Sequence, residues 1–511
     1  MSFRSCLTGI LFGASACATP GGRDDSFVIA DATIIDGTGG PRTTGSVRVR
    51  GDRIVDVGAV TPARGERVVD AGGMVLAPGF IDTHSHATGD LREDTTALGA
   101  VSQGITTIVG GQDGGSRLPL AEYLTGLERQ PAPLNIASYV GHNSVRREVM
   151  GDDFRRNATP AEIDSMKVLV RAGMTAGALG LSTGLEYDPG IYSDPDEVLA
   201  LAREAAAAGG RYISHIRSED RYFWPAIDEI IRIGREAKLP VQISHVKLAM
   251  KSLWGGADSL VTVLDAARAD GVDITADIYP YLYWQSTLTV LFPKRDFTNR
   301  ASAEFALTET STPGGLLLTA YAAEPRWAGK TVADVARERG VDSVTALIDL
   351  IQGALDLEKR LTPDSLAKID VESVIGTSMI EEDVERLMRW PHTNFCTDGA
   401  LTGNHPRGFG SYPRILGVYV RDRSVLTLEE AVKKATSLAA AHMGFRDRGT
   451  IAPGMYADLV LFDPAAIIDR ATPQQPREAS TGVQRVWVNG VEVFGDGKAT
   501  GAKAGKVLRR M

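Results

Sequence analysis

The sequence has little cysteine, no block of basic residues and, beyond a short leader, no apolar run long enough to cross a bilayer. It contains three cysteines in 511 residues, and only Cys17 and Cys396 remain once the leader is removed, so a disulfide framework is excluded. A net charge of −9 argues against binding to nucleic acid. With 43% apolar residues, the chain is expected to fold into one large domain and a smaller one.

The first residues resemble the export signal of a bacterial lipoprotein. Arg4 provides a positive start, residues 7–12 form a short apolar core, and residues 14–17 form a small-residue cleavage site that ends in Cys17. We therefore expect residues 1–26 to be a leader and linker. The mature protein would be periplasmic, or anchored to a bacterial membrane by lipid on Cys17. The alternatives are a signal cut without lipidation and a cytoplasmic start.

Both ends of the chain have the pattern of short β-strands. Residues 27–75 and 446–511 alternate apolar and polar residues between glycine turns, as in SVRVRGDRIVDVG and VQRVWVNGVEVFGDG. Neither end alone supplies enough strands to cover a core. We therefore expect the two ends to form one small β-sandwich.

Between the two ends, residues 76–445 alternate apolar strands with helical stretches. Eight such repeats indicate an α/β fold of the TIM-type (β/α)8 barrel class. The strand candidates are residues 79–84, 105–110, 134–142, 178–184, 212–215, 241–245, 274–279 and 394–398. An open doubly wound sheet also fits the alternation, but it gives no reason for polar residues at so many strand ends.

A long insertion, residues 289–385, lies between the seventh and eighth predicted strands. Loops on the catalytic face of barrels often carry lids, so the insertion is either a cover for the site or a peripheral decoration. Its sequence alone does not favour one of these roles.

A histidine pair, His84 and His86, stands at the end of the first strand in the run THSH. Side chains two residues apart on extended backbone point the same way, so this pair can hold a metal ion. Single candidate ligands also end the fifth, sixth and eighth strands: His215, His245 and Asp398. Because the C-terminal strand ends of a barrel converge on one mouth, these side chains should meet there. Nitrogen and oxygen ligands of this kind suit zinc, and other divalent metals are possible.

These motifs together resemble the amidohydrolase superfamily. The series HSH, SHIRSE, SHVK and CTDG, framed by PGFIDTHSH and GTIAPGMYADLVLFD, carries the resemblance along residues 27–500. Within the superfamily, the chain resembles the N-acyl-D-amino-acid deacylase, or D-aminoacylase, group. The motifs for that group are GITTIVGGQDGG, YVGHNSVRREVMG, GALGLSTGLEYDPG, ADIYPY and HPRGFGSYPRILG.

The resemblance implies a hydrolase that uses one or two zinc ions on a small N-acyl amino acid. A zinc-bound hydroxide would attack the amide carbonyl, and the products would be a carboxylate and a free D-amino acid. Asp398 would take the proton from the water and pass it to the departing nitrogen. His215 and His245 would hold the tighter metal, and His84 and His86 a second, more weakly occupied position.

The sequence departs from the group at one ligand position. Where well-known members have a cysteine in a G-N-C-G motif after the second strand, this chain has Asp113 within GQDG. A carboxylate binds through one or both oxygens, so Asp113 can act as a ligand and even bridge two ions. The alternative is a turn residue in a glycine-rich loop. The fourth strand has no lysine for the carboxylated bridge of dihydroorotase-like relatives.

The resemblance also implies a clamp for the free carboxylate of the substrate. Lys247 and Arg407 match positions that the family uses, and arginine can hold a carboxylate with two hydrogen bonds. Tyr279 or Tyr281, with Ser286, resembles the rest of the clamp. The alternative for Lys247 and Arg407 is a pair of solvated charges at the rim.

Three functions compete. The leading hypothesis is a metal-dependent deacylase of N-acyl-D-amino acids, and the second is a related amidohydrolase of dipeptides or cyclic amides. The third is a metal-binding scaffold without catalysis, against which the presence of Asp398 argues. His142 either lines the pocket or, as we favour, is a buried structural residue, and His392 and His442 are expected to be structural.

Overall fold

The computed structural model describes residues 26–366 and 369–510, so the predicted leader and Cys17 lie outside the described residues. Both ends of the described chain meet in a single nine-stranded sheet. The strands of this terminal sheet are Ser26–Ile34, Thr43–Arg50, Arg53–Gly58, Arg67–Asp70, Val75–Pro78, Leu459–Phe462, Val483–Val488, Val491–Gly495 and Lys498–Ala499. The two ends join where Val75–Pro78 pairs antiparallel with Leu459–Phe462.

The terminal sheet folds over a core of its own. Phe27 from the N-terminal part stacks on Trp487 from the C-terminal part, with ring centroids 6.1 Å apart. Val47 and Leu459 belong to the same buried cluster. Apolar residues of the two chain ends therefore cover each other, as expected for a small sandwich built from both.

Eight parallel strands form the barrel in chain order within the described residues. We call these the first to eighth barrel strands: Phe80–Asp82, Ile105–Gly110, Asn135–Ser138 with Val140–Gly141, Gly180–Gly184, Arg211–His215, Val241–Ile243, Ile274–Ile278 and Thr393–Phe395. Between the eighth and the first, Asp398 N donates to His84 O at 2.9 Å and His86 N donates to Gly399 O at 2.9 Å. These bonds close the circle, which excludes the open sheet and confirms the predicted α/β barrel.

Helices surround the barrel and follow most of its strands. They are Leu98–Val101, Leu120–Arg129, His142–Met150, Pro160–Thr175, Pro195–Ala207, Phe223–Ala237, Ala257–Ala269, Glu381–Arg389, Arg407–Arg414, Leu428–Ala435 and Ser437–Met443. Pro160–Thr175 shows why they begin where they do, because Thr159 accepts from Glu162 N and the Glu162 carboxylate accepts from Thr159 N in return. Among the residues described, no helix is both long and apolar enough to span a membrane.

The insertion is a small α/β unit with its own apolar core around Trp284, Leu318 and Val374. Its antiparallel sheet consists of Tyr283–Ser286, Leu316–Tyr321 and Glu372–Thr377. Its helices are Arg300–Phe305, Val332–Arg339, Ser343–Glu358 and Pro363–Leu366. The unit starts ahead of the expected residue 289, because the strand Tyr283–Ser286 pairs with Glu372–Thr377 rather than with the barrel.

Candidate metal centre and substrate cavity

The first histidine pair faces two carboxylates at the mouth of the barrel. His84 Nε2 lies 3.3 Å from Asp113 Oδ1 and 3.4 Å from Asp398 Oδ1. His86 Nε2 lies 3.2 Å from Asp113 Oδ2 and 3.1 Å from Asp398 Oδ1. The four side chains together can surround one ion.

The second histidine pair lies on the other side of Asp113. His215 Nδ1 is 3.1 Å from His245 Nε2, and that nitrogen is 3.6 Å from Asp113 Oδ1. Asp113 therefore belongs to two of the three candidate ligand groups, one with His84, His86 and Asp398 and one with His215 and His245, while Glu186, His215 and Glu219 form the third. A carboxylate in this position can bridge two ions.

The spacing of these donor atoms fits a metal ion. Two ligands of a tetrahedral zinc, each at 2.0–2.1 Å from the ion, lie about 3.3 Å apart. The separations between His84, His86, Asp113 and Asp398 run from 3.1 to 3.4 Å. Among the described residues, none makes a hydrogen bond with either ring nitrogen of His84 or with Asp113 Oδ1. An ion would satisfy these buried atoms, so the residues fit the predicted zinc.

Three candidate ligands have a left-handed backbone. The φ angle is 50° at Asp113, 34° at His245 and 49° at Asp398. This conformation costs a residue with a side chain about 1–3 kcal/mol, so neighbouring contacts must hold it in place. At one of the three, His245 N donates to the buried carboxylate of Asp277 at 2.5 Å. At His245 and Asp398 the strained backbone also explains why the sixth and eighth barrel strands end at Ile243 and Phe395, whereas the predicted strands ran on to these two ligands.

Asp398 sits between the histidines and Arg407. Its Oδ2 lies 2.6 Å from the Arg407 guanidinium, and both side chains are buried. Burial disfavours the charged carboxylate, but Arg407, His245 and His84 outweigh it and hold the pKa of Asp398 well below its usual range. Asp398 is therefore ionised and ready to accept a proton.

Two glutamates contact the outer nitrogens of the second histidine pair. Glu186 Oε2 lies 2.9 Å from His215 Nε2, and Glu219 Oε1 lies 3.1 Å from His245 Nδ1. Lys247 donates to Glu219 at 2.6 Å. Lys247 is thus buried within an ion pair, and is not the solvated rim charge that was the alternative.

A cavity opens beside His215, His245 and Asp398. Side chains from the insertion form much of its outer wall: Trp284, Gln285, Ser286, Val290, Leu291 and Thr310. The insertion therefore covers the site, which decides between the two roles that its sequence left open.

The structure separates the two tyrosines predicted for the carboxylate clamp. Tyr279 lines the cavity, and its buried hydroxyl has no hydrogen-bond partner among the described residues. Tyr281 instead donates to Asp469 at 3.4 Å, away from the cavity lining. Arg407 lines the cavity near Tyr279, with its guanidinium carbon 5.0 Å from the centre of that ring. Tyr279, rather than Tyr281, can reach a bound molecule.

The family model Amidohydro_3, described as the amidohydrolase family, matches residues 67–494. The chain belongs to this family. It is 34% identical over 509 residues to a D-aminoacylase of Alcaligenes xylosoxydans xylosoxydans, covering 95% of this chain and 97% of the relative. It is 35% identical over 508 residues to an N-acyl-D-glutamate deacylase of the same organism, covering 95% of this chain and 96% of the relative.

A solved structure extends the similarity to three dimensions. The N-acyl-D-glutamate deacylase of Bordetella bronchiseptica, complexed with zinc and a phosphonate inhibitor that mimics the tetrahedral intermediate, matches this amidohydrolase with a TM-score of 0.82. The two are 35% identical, and the match covers 94% of this chain and 99% of that chain. The predicted family and the predicted fold class are both confirmed.

His142 and His442 belong to none of the candidate ligand groups. His142 Nε2 contacts Glu197 Oε1 at 2.8 Å in a fully buried network that also contains Arg146. His442 Nδ1 contacts Asn394 Oδ1 at 2.6 Å. These contacts agree with the structural role expected for His142 and His442.

Sequence reasoning missed Glu186 and Glu219. Glu186 stands two residues after the fourth barrel strand, which was considered only for its lack of a lysine. Glu219 stands in the SHIRSE motif that begins just before His215. Their position just after strand ends was the available signal. The spacing of residues along the chain does not predict which histidine nitrogen each carboxylate contacts.

Proposed function

We propose that this amidohydrolase is a zinc-dependent deacylase that cleaves the amide bond of N-acyl-D-amino acids to a carboxylate and a free D-amino acid. One observation carries the proposal: two histidine pairs share Asp113 at a barrel mouth beside the ionised Asp398. Similarity to a D-aminoacylase and to an N-acyl-D-glutamate deacylase along nearly the whole chain supports the substrate class.

His215, His245 and Asp113 would hold one zinc ion, and His84, His86, Asp113 and Asp398 a second position. When bound, the metal lowers the pKa of a water molecule toward neutrality and polarises the substrate carbonyl. Asp113 places a carboxylate where the group has a thiolate, and its Oδ1 lies near one histidine of each pair, 3.3 Å from His84 Nε2 and 3.6 Å from His245 Nε2. This arrangement favours a bridging role for Asp113.

Asp398 would handle the proton of the reaction. It accepts a proton from the attacking water as the oxygen of that water bonds to the amide carbon. It then delivers the proton to the nitrogen as the carbon–nitrogen bond breaks, so that the amino acid leaves with a neutral amine. Arg407, 2.6 Å from Asp398, keeps the carboxylate ionised before the reaction begins.

Tyr279 and Arg407 would hold the free carboxylate of the substrate. The Tyr279 hydroxyl and Arg407 Nε are both buried without a hydrogen-bond partner among the described residues, so each retains a donor for a ligand. Ser286 lines the same cavity and can add a third donor. Lys247 already pairs with Glu219, so it contributes positive charge beside the cavity.

A chelation and substrate panel tests this proposal. Purified protein is assayed on matched N-acyl-D- and N-acyl-L-amino acids, dipeptides and cyclic amides, before and after metal removal. We expect hydrolysis of the acyl-D-amino acids, its loss in chelator and its recovery with zinc. Activity that survives complete metal removal would rule out the proposed chemistry. Activity on dipeptides or cyclic amides alone would favour the second function.

We further propose that the protein is an exported bacterial lipoprotein anchored at Cys17. The support is the leader sequence, with its positive Arg4, its apolar core and its small-residue cleavage site. The test compares membrane and soluble fractions of cells that express the wild type or Cys17→Ala. Wild type in the membrane fraction and the variant released from it is the expected result, whereas wild type in the cytoplasm would contradict it.

A further inference from the structure

We infer that Glu186 is a positioning residue for the metal centre, which fixes the ring of His215 so that its Nδ1 faces the ion. The inference rests on the proposed zinc centre. It adds a residue from the loop after the fourth barrel strand to a site whose predicted ligands all follow other strands.

The two nitrogens of His215 have different surroundings. Nδ1 is 3.1 Å from His245 Nε2, on the side where Asp113 completes a ligand group. Nε2 is 2.9 Å from Glu186 Oε2, the usual length of an N–H···O hydrogen bond. With Nε2–H donating a hydrogen bond to the Glu186 carboxylate, the lone pair of Nδ1 is left free for a metal.

A carboxylate behind a ligand histidine fixes its tautomer and ring orientation and makes the nitrogen on the metal side more basic. His245 differs, because its Nδ1 lies 3.1 Å from Glu219 Oε1 but also 2.7 Å from Lys247 Nζ. Lys247 pairs with the Glu219 carboxylate at 2.6 Å, whereas the Glu186 carboxylate contacts His215 Nε2 directly at 2.9 Å.

The loop that carries Glu186 is held in place from the insertion. Arg295 donates to the backbone oxygen of Glu186 at 2.9 Å and to Asp188 Oδ1 at 2.9 Å. The same guanidinium donates to the backbone oxygen of Phe292 at 3.2 Å. On the inner side, the ring of Tyr187 lies 4.4 Å from that of His215. These contacts fix the carboxylate relative to the histidine.

Zinc affinity of purified protein, measured without substrate by competition with a chromophoric chelator, tests the inference. We expect Glu186→Ala to weaken zinc binding by about 10- to 100-fold and Glu186→Gln, which keeps an acceptor but loses the charge, by less. Asp188→Asn is the matched control, because it removes a carboxylate from the same loop without touching His215. It should bind zinc within about twofold of wild type, since asparagine keeps an acceptor for Arg295 and the bond from Arg295 to the backbone oxygen of Glu186 remains.

Three results would overturn the inference. Zinc affinity of a folded Glu186→Ala variant within twofold of wild type would show that the contact does not matter. An equal loss in Asp188→Asn would assign the effect to the loop as a whole. Loss of one whole equivalent of zinc at saturation in Glu186→Gln would make Glu186 a ligand. Because no substrate is used, these outcomes are independent of whether the protein is a deacylase.

Discussion

Two buried aspartates in this protein have opposite surroundings. Asp458, between the terminal sheet and the barrel, accepts hydrogen bonds from Arg448, from Asn135 Nδ2 at 3.0 Å and from Asn489 N at 2.7 Å. Asp113, at the barrel mouth, faces histidine nitrogens, and its Oδ1 accepts no hydrogen bond within the described part of the chain. The protein itself supplies hydrogen-bond donors to the Asp458 carboxylate, whereas the Asp113 carboxylate needs a cation to satisfy it.

The comparison shows how to recognise a site among buried charges. A buried polar atom without a partner costs about 1–3 kcal/mol, so proteins rarely retain one without a use for it. Burial by itself carries no such information, because Asp458 is as deeply buried as many ligands. The useful signal is a carboxylate whose neighbours are metal-binding atoms rather than hydrogen-bond donors.

The largest effect is expected for Asp398→Asn. Asparagine keeps the shape and tolerates the left-handed backbone, but it cannot take the proton from water, so kcat should fall by about 10²- to 10⁴-fold. Steady-state kinetics with saturating zinc measure the loss, and thermal melting checks the fold. A variant with wild-type kcat would support the scaffold without catalysis or a different base.

Asp458→Ala should damage stability and leave the metal centre intact. Removing this carboxylate leaves the buried Arg448 with only the more exposed Asp447, at 3.3 Å, as a charge partner, which should cost about 3–5 kcal/mol of unfolding free energy. Urea unfolding measures the change, and zinc content should match the wild type under conditions where the variant is folded. If zinc content falls while the fold persists, the two carboxylates are not as separate as the structure indicates.

Asp113→Asn should damage the metal centre and leave the stability of the protein intact. The amide is a weaker ligand than the carboxylate and bridges poorly, so we expect zinc content to fall from two ions toward one or none, with the metal-free protein at least as stable as wild type. Elemental analysis and melting of the metal-free form measure both quantities. Wild-type zinc content would assign Asp113 to the turn-residue alternative.

Tyr279→Phe should weaken substrate binding more than the chemical step. Loss of one hydrogen bond to a carboxylate is worth about 1.5–3 kcal/mol, so KM should rise by roughly tenfold or more. Tyr281→Phe is the matched control, since its hydroxyl contacts Asp469 instead of the cavity. Equal effects in the two variants would remove Tyr279 from the clamp.

The smallest effect concerns Glu372 in the insertion. Burial raises the pKa of Glu372 from its ordinary value of 4.5 to about 8, and a hydrogen bond from Leu288 N opposes the rise. The protonated carboxyl contributes its full stabilisation below about pH 4.5, and this contribution is lost as the pH rises toward 8. The free energy of unfolding falls by no more than about 1.4 kcal/mol per pH unit over this range.

Because the chain is long, we expect the melting temperature to change by only about 2 °C per pH unit from this source. Glu372→Gln keeps the acceptor for Leu288 N and removes the titration, so the difference between wild type and variant should grow from pH 5 to pH 8. Parallel melting curves across this range would contradict the shift.

The sequence predicted the ligands better than their surroundings. His84 and His86 follow from the period of two in a strand, and His215, His245 and Asp398 from the convergence of strand ends in a barrel. Both rules depend only on backbone geometry, which sequence patterns reveal. Even the departure at Asp113 was visible in the sequence, as GQDG in place of G-N-C-G.

Contacts between side chains were harder to predict. Tyr279 and Tyr281 are two residues apart and were indistinguishable, because only the loop after the seventh barrel strand decides which one turns toward Asp469. Arg407 was predicted to hold a substrate but not to lie 2.6 Å from Asp398. Such choices depend on packing among distant segments, which spacing along the chain does not encode.

The closure of the barrel has a consequence for how the protein matures. Asp398 and His84 lie on the seam where the last barrel strand returns to the first, and Asp398 N donates to His84 O across that seam. A ribosome-bound chain that has not yet passed residue 398 has no such seam and no complete zinc centre. The position formed by His84, His86, Asp113 and Asp398 can therefore bind an ion only late, in whichever compartment the finished chain folds.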